Sequence, residues 1–103
     1  MSRHREAFED FAESVQEELG ESLEKLVLYG SVARGEEREY SDVDVFAVVV
    51  AEEDKRKLRD LAFETGLRYE VSFSPIVKTE EEYLDVKNTV YGKEVRSKGE
   101  AYV

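Results

Sequence analysis

The chain lacks cysteine and tryptophan altogether and carries one proline, one histidine and one methionine in 103 residues. Without cysteine there is no disulfide framework and no thiolate zinc site. The one histidine, His4, has no other metal-type ligand near it in the chain and reads as a solvated residue at a frayed helix start. With proline this scarce and 41% of residues hydrophobic, a long disordered segment is excluded. Positive charge is also short. Fifteen Lys and Arg face 25 Asp and Glu, leaving a formal net charge of -10. Nonspecific nucleic-acid binding rests on cations neutralising phosphates, so the isolated chain is a poor candidate for it. No apolar run approaches the length of a membrane span. The start, Met1-Ser-Arg-His-Arg-Glu6, has no apolar h-region. The expectation is a single domain, residues 1–103, in the cytoplasm and off the membrane, with room for one core but not for an accessory domain.

What is present concentrates in one stretch. The apolar run Leu26-Val-Leu-Tyr29 stops at Gly30-Ser31, and Val32-Ala-Arg34-Gly35 follows. Gly30 removes a Cβ where a backbone must approach a ligand. Ser31 can cap a helical turn and offer its hydroxyl and nearby N–H groups to an anion. Arg34 adds a positive charge one turn on. After a charged loop, Glu36-Glu-Arg-Glu39, comes Ser41-Asp-Val-Asp-Val-Phe-Ala-Val-Val-Val50. Asp42 and Asp44 are two residues apart at the head of a strand, so they share a face, with Cα atoms about 6.5–7 Å apart. Such a pair can share hard cations, and two Mg²⁺ about 3.5–4 Å apart are what in-line phosphoryl or nucleotidyl displacement uses. A turn residue would explain Asp42. It does not explain Asp44, which lies within a strand where Asp is disfavoured.

Gly30-Ser31-x-x-Arg34-Gly35 followed by Ser41-Asp42-x-Asp44 resembles the signature of the polymerase-beta-like nucleotidyltransferases, and the short length resembles their minimal, single-domain branch. Both halves occur in order and at a workable separation, which a lone Gly-Ser or Asp-x-Asp would not offer. The resemblance implies that Gly30 and Ser31 hold the triphosphate, with Arg34 steadying phosphate charge or pairing with the charged loop. It implies that Asp42 and Asp44 bind Mg²⁺, two ions or Mn²⁺ in their place, and that a third carboxylate on a later strand completes the site. Glu70 is the candidate for that third place, as metal ligand or as base; a solvent-facing strand glutamate is the plain alternative. The implied reaction moves a nucleoside monophosphate from an NTP, ATP first among them, to an acceptor hydroxyl. Minimal members often accompany a small helical HEPN-type protein, and some act as antitoxins that adenylylate it on tyrosine. Two rivals stay open: a degenerate member that neutralises its partner by contact alone, and a phosphohydrolase using the same metals.

The rest of the chain reads as an α/β fold, a small mixed sheet with helices mainly on one face. Residues 3–19 carry Phe8, Phe11, Ala12, Val15 and Leu19 at helical spacing, with Gly20 as the stop. Residues 23–29 and 43–50 read as buried strands. Residues 52–65 form a helix ended by Gly66, with Lys55, Lys57 and Arg59 on its exposed face. Residues 68–77 read as a third strand that puts Glu70, Ser72 and Ser74 on one face and Val71 and Phe73 on the other. Pro75 marks an edge, bulge or end. Thr79-Glu-Glu-Glu82 is a capping box opening a helix whose Tyr83, Leu84 and Val86 turn inward. Residues 88–98 read as a short helix before a terminal Ala101-Tyr-Val strand. Tyr83, Tyr91 and Tyr102 suit core packing better than stacking on a base.

Overall fold

A computed structural model describes residues 2–86 and 99–103. Helix α1 spans Arg3–Leu19, and a 3₁₀ turn at Gly20–Ser22 leads into strand β1, Leu23–Tyr29. A one-turn helix α2, Gly30–Arg34, precedes β2, Val43–Val49. Helix α3, Glu52–Tyr69, returns the chain to β3, Phe73–Thr79; α4, Glu80–Val86, follows, and β4, Glu100–Ala101, closes the described chain. The sheet order is β3-β2-β1-β4. β1 is antiparallel to β2 and β4, whereas β2 and β3 are parallel. A parallel pair needs a crossover, and α3 supplies it.

The two faces of β2 follow its alternation. Val43, Val45, Ala47 and Val49 lie in the main core with Phe8, Phe11 and Val15 of α1 and Leu58 and Ala62 of α3. Each such large side chain contributes about 1.5–3 kcal/mol when fully buried. Phe46 and Val48 point the other way, against Val27, Tyr29, Ile76 and Tyr83. Asp42 and Asp44 therefore project on this second face, at the sheet rim beyond Phe46. Tyr102 packs edge-on against Phe8 with centroids 4.7 Å apart, and Tyr83 packs on Phe46 at 5.8 Å. Tyr91 and the expected helix over 88–98 lie outside the described residues.

Several expectations change. His4 is buried, 4% exposed, with its Nε2 unpaired, because α1 begins one residue before it and turns it inward. Leu84 is exposed. Helix α3 does not stop at Gly66 but runs to Tyr69. A glycine is needed inside this helix because a Cβ there would stand 2.6 Å from the Val71 carbonyl oxygen, where the chain doubles back. The Val71 N–H donates to the Gly66 carbonyl at 3.0 Å. The third strand consequently starts at Phe73, not at residue 68. Glu70 is not on a strand at all; it is the C-cap of α3, at φ 55. A left-handed backbone at a residue with a Cβ costs about 1–2 kcal/mol.

Lys55 is buried too, and it joins the starts of α3 and α4. Its Nζ meets Glu52 at 3.1 Å and Glu82 at 2.6 Å. Glu82 meanwhile accepts the Thr79 N–H at 2.9 Å and donates its own N–H to Thr79 Oγ1, completing the expected capping box. The Lys55 ammonium and the Thr79 N–H hold the Glu82 carboxyl down to about 2. A depressed carboxyl stabilises the fold fully above its ordinary value of 4.5, and that contribution is lost as pH falls from there toward about 2. Glu82→Gln should lower the unfolding midpoint by several degrees at neutral pH, and the gap to the parent should close across that acid window. Thermal melts of both proteins at a series of pH values check this; a gap independent of pH would exclude the ion pair as its source.

Candidate active site at the head of strand β2

The two halves of the sequence signature meet at one point. β1 and β2 pair so that Tyr29 stands opposite Asp44, and the chain leaves β1 through Gly30. Gly30 has φ +74. A Cβ built on it would lie 3.1 Å from Asp44 Cγ and would overlap Oδ2. Only glycine gives both that backbone and that space. The Gly30-Ser31 turn is thus shaped around the Asp44 carboxylate. Ser31 does not cap the turn, as the sequence suggested it would. Tyr29 is the N-cap, without a side-chain hydrogen bond, and Ser31 sits inside the first turn. First-turn N–H groups have no intrahelical partner, and they collect beside Gly30 and Ser31. Gly35, at φ +71, ends the turn by donating its N–H to Ser31 and Val32 carbonyls.

Asp44 is half-buried, and burial pushes its carboxyl above the ordinary value; the neighbouring Asp42 charge adds to this and Arg34 opposes it. The three groups therefore sense one another. Arg34 also reaches Glu36 at 3.4 Å, so the pairing with the charged loop is present as well. On the other side of β2, the parallel register sets Ser74 beside Asp44, and Ser74 Oγ donates to Asp42 Oδ2 at 3.0 Å. Ser74 is the residue that sequence reasoning missed. Its signal was the Ser72, Ser74 alternation on β3, which only the strand register could align with Asp44.

The β3 residue set beside the carboxylate pair is thus a hydroxyl, Ser74. Glu70 lies at the end of α3, and among the described residues no group of three or more His, Asp or Glu gathers as a metal site. The donor set is two carboxylates and a hydroxyl. It fits Mg²⁺, which is commonly held by one or two carboxylates plus substrate phosphates. Burial first and the Asp42 charge second raise the Asp44 carboxyl, and a bound cation would relieve both.

The loop between the halves is anchored, not merely solvated. The Ser2 hydroxyl and the loop's own backbone hold the Glu37 carboxyl below the usual range, with its Oε2 buried. Ser41 Oγ accepts the Arg38 N–H at 2.8 Å while the Ser41 N–H donates to the Arg38 carbonyl. That closed turn delivers Asp42 to the rim.

A model of the nucleotidyltransferase domain matches residues 8–96. One protein of Methanocaldococcus jannaschii, named as an inferred protein adenylyltransferase, is 36% identical over 75 residues, 67% of this chain and 50% of its own length. The chain thus spans about half of that relative. A second so named in the same organism is 35% identical, covering 70% of this chain and 76% of its own. A solved toxin–antitoxin structure with AMP-PNP superposes with a TM-score of 0.63 at 17% identity, over 90% of this chain and 70% of its own. A mutant form of the toxin–antitoxin MntA-HpeT gives 0.64 at 18%, over 92% and 71%. These two speak for the fold. With the Gly30–Asp44 contact and the family match in agreement, the chain belongs to the nucleotidyltransferase domain family.

Proposed function

We propose that this protein transfers AMP from ATP to a hydroxyl of a protein acceptor and releases pyrophosphate, acting in the cytoplasm beside a small helical HEPN-type partner whose tyrosine is modified. The observation that carries this is the packing of the Asp44 carboxylate onto Gly30, which joins a phosphate-type turn to a carboxylate pair. The names of the M. jannaschii relatives support the adenylyl group and the protein acceptor, and the toxin–antitoxin neighbours support a toxin–antitoxin partner.

In this reading the N–H groups at Gly30 and Ser31 bind the β- and γ-phosphates, and Arg34 adds charge at their edge. Asp42 and Asp44 would hold Mg²⁺, two ions or Mn²⁺ in their place, which when bound polarises the α-phosphate and the acceptor oxygen. Ser74 orients Asp42. The acceptor oxygen bonds to the α-phosphorus, the bond to the β-phosphate bridging oxygen breaks with its electron pair leaving on pyrophosphate, and the hydroxyl proton is lost to solvent. Glu70, expected as the base, is not given that step, since the chain places it at a helix end.

That a hydroxyl stands beside the pair, and that no third carboxylate gathers with it among the described residues, favours one rival, neutralisation of a partner by contact alone. Incubation with α-labelled ATP, Mg²⁺ and a HEPN-type protein separates the readings. Label on the protein with pyrophosphate released is the expected result. A stable complex without label would leave contact alone, and free labelled AMP would make the chain a phosphohydrolase.

A further inference from the structure

A groove of roughly 770 Å³ runs between the C-terminal half of α3 and the start of β3. Tyr40, Phe63 and Leu67 line it, and they are 91%, 68% and 66% exposed, so large apolar surface faces water there. Glu39 and Glu70 also line it, and among the described residues Arg59 is the one cation of its lining. Glu70 holds its place in a left-handed backbone that glycine would adopt without strain. One end of the groove, at Ser41 and Ser72, borders the carboxylates: Ser41 precedes Asp42, and the Ser72 carbonyl accepts the Val43 N–H at 2.8 Å.

The strand order decides which side of the reaction this groove serves. Asp44 has Tyr29, and hence the Gly30-Ser31 turn, on its β1 side, and Ser74 on its β3 side. In an in-line displacement the acceptor oxygen approaches opposite the departing pyrophosphate. Phosphates held at the β1 side leave the β3 side to the acceptor; the groove flanks β3 on the α3 side of the sheet and meets the carboxylates around the rim, at its Ser41 and Ser72 end. We infer that this groove docks a basic segment of the acceptor protein, seating an apolar side chain against Phe63 and Leu67 and a Lys or Arg by Glu39 and Glu70, so that a nearby hydroxyl reaches Asp42 and Asp44. The inference rests on the transferase reading and adds the place and chemistry of acceptor recognition. The chain's charge of -10 favours a basic protein over a nucleic acid or a second copy of the chain.

The test uses a lysine–tyrosine copolymer as acceptor probe and a glutamate–tyrosine copolymer as its control. Binding is read by calorimetry without nucleotide, and transfer by label from α-labelled ATP. The variant Phe63→Gln, Leu67→Gln keeps charge and helix propensity. It should weaken lysine–tyrosine binding and raise the acceptor KM at least about tenfold, as loss of central apolar anchors does, with ATP affinity unchanged. Glu70→Lys should do likewise, whereas Glu17→Lys on the exposed face of α1 should not. Equal binding by parent and groove variants overturns the inference, whether or not label is transferred. So does loss of ATP affinity in the Gln variant, which would make the groove a nucleobase site, or a parent dimer that the variant abolishes. Groove-dependent binding with no transfer to any acceptor supports the docking surface and sinks the transferase reading instead.

Discussion

Asp44→Asn should abolish adenylyl transfer and at the same time raise the unfolding midpoint of the metal-free protein. The first effect follows from removing one of the two carboxylates that the described residues bring to the site. Metal-based stabilisation of developing charge is worth several kcal/mol, and each ~1.4 kcal/mol is tenfold, so turnover should fall at least about a thousandfold. The second effect follows from the direction of the Asp44 shift. Burial and Asp42 raise its carboxyl above the ordinary 3.8. A group raised in the folded state favours folding below its unfolded value and loses that contribution as pH rises through its folded value. At neutral pH the ionised Asp44 therefore opposes the fold, and the neutral amide relieves it. Mg²⁺ should stabilise the parent by mass action and leave the variant largely unmoved. Melts with and without Mg²⁺, beside a transfer assay, read all of this. A variant less stable than its parent without metal would show Asp44 to be structural.

That opposition between stability and chemistry explains why the site was legible in the sequence. An Asp inside an otherwise Val-rich strand breaks a local rule, and so does a glycine ending an apolar run; both breaks are visible without coordinates. Helices α1 and α4 and the central strands were legible for the opposite reason, because apolar spacing, Gly20 and the Thr79 capping box all agreed with the fold. Reading failed where a tertiary contact overrode a local signal. Gly66 looked like a helix stop, but it serves the close crossing of the Val71 carbonyl, and the helix continues. That one displacement moved the start of β3 and carried Glu70 out of the strand. It also hid Ser74, since only the parallel register with β2 brings it to Asp42. Lys55 was misplaced on the surface because its partner Glu82 lies far off in the chain, in α4, and His4 because α1 begins at Arg3 and turns it inward instead of fraying there.

Gly30→Ala and Gly35→Ala, compared directly, should show how far the turn is built around the carboxylate. The two glycines bracket the same short helix and have nearly the same backbone, φ +74 and φ +71. A Cβ on Gly35 meets nothing within 4 Å. Its substitution should therefore carry only the left-handed backbone cost, about 1–2 kcal/mol, which in a domain this small lowers the midpoint by roughly 5–15 °C. Transfer should survive at temperatures where the protein stays folded. A Cβ on Gly30 carries the same cost and also overlaps Asp44 Oδ2. Either the carboxylate turns away or β1 and β2 part at their pairing of Tyr29 with Asp44. Gly30→Ala should thus melt below Gly35→Ala and lose transfer as fully as Asp44→Asn. Trimming the obstruction supplies the control. In an Asp44→Ala background the overlap with the carboxylate is gone and the Asp44 Cβ at 3.3 Å is what remains close, so the excess cost of Gly30→Ala over Gly35→Ala should shrink sharply. Equal melting and equal activity of the two single variants would mean that the contact between Gly30 and Asp44 serves neither the fold nor the reaction.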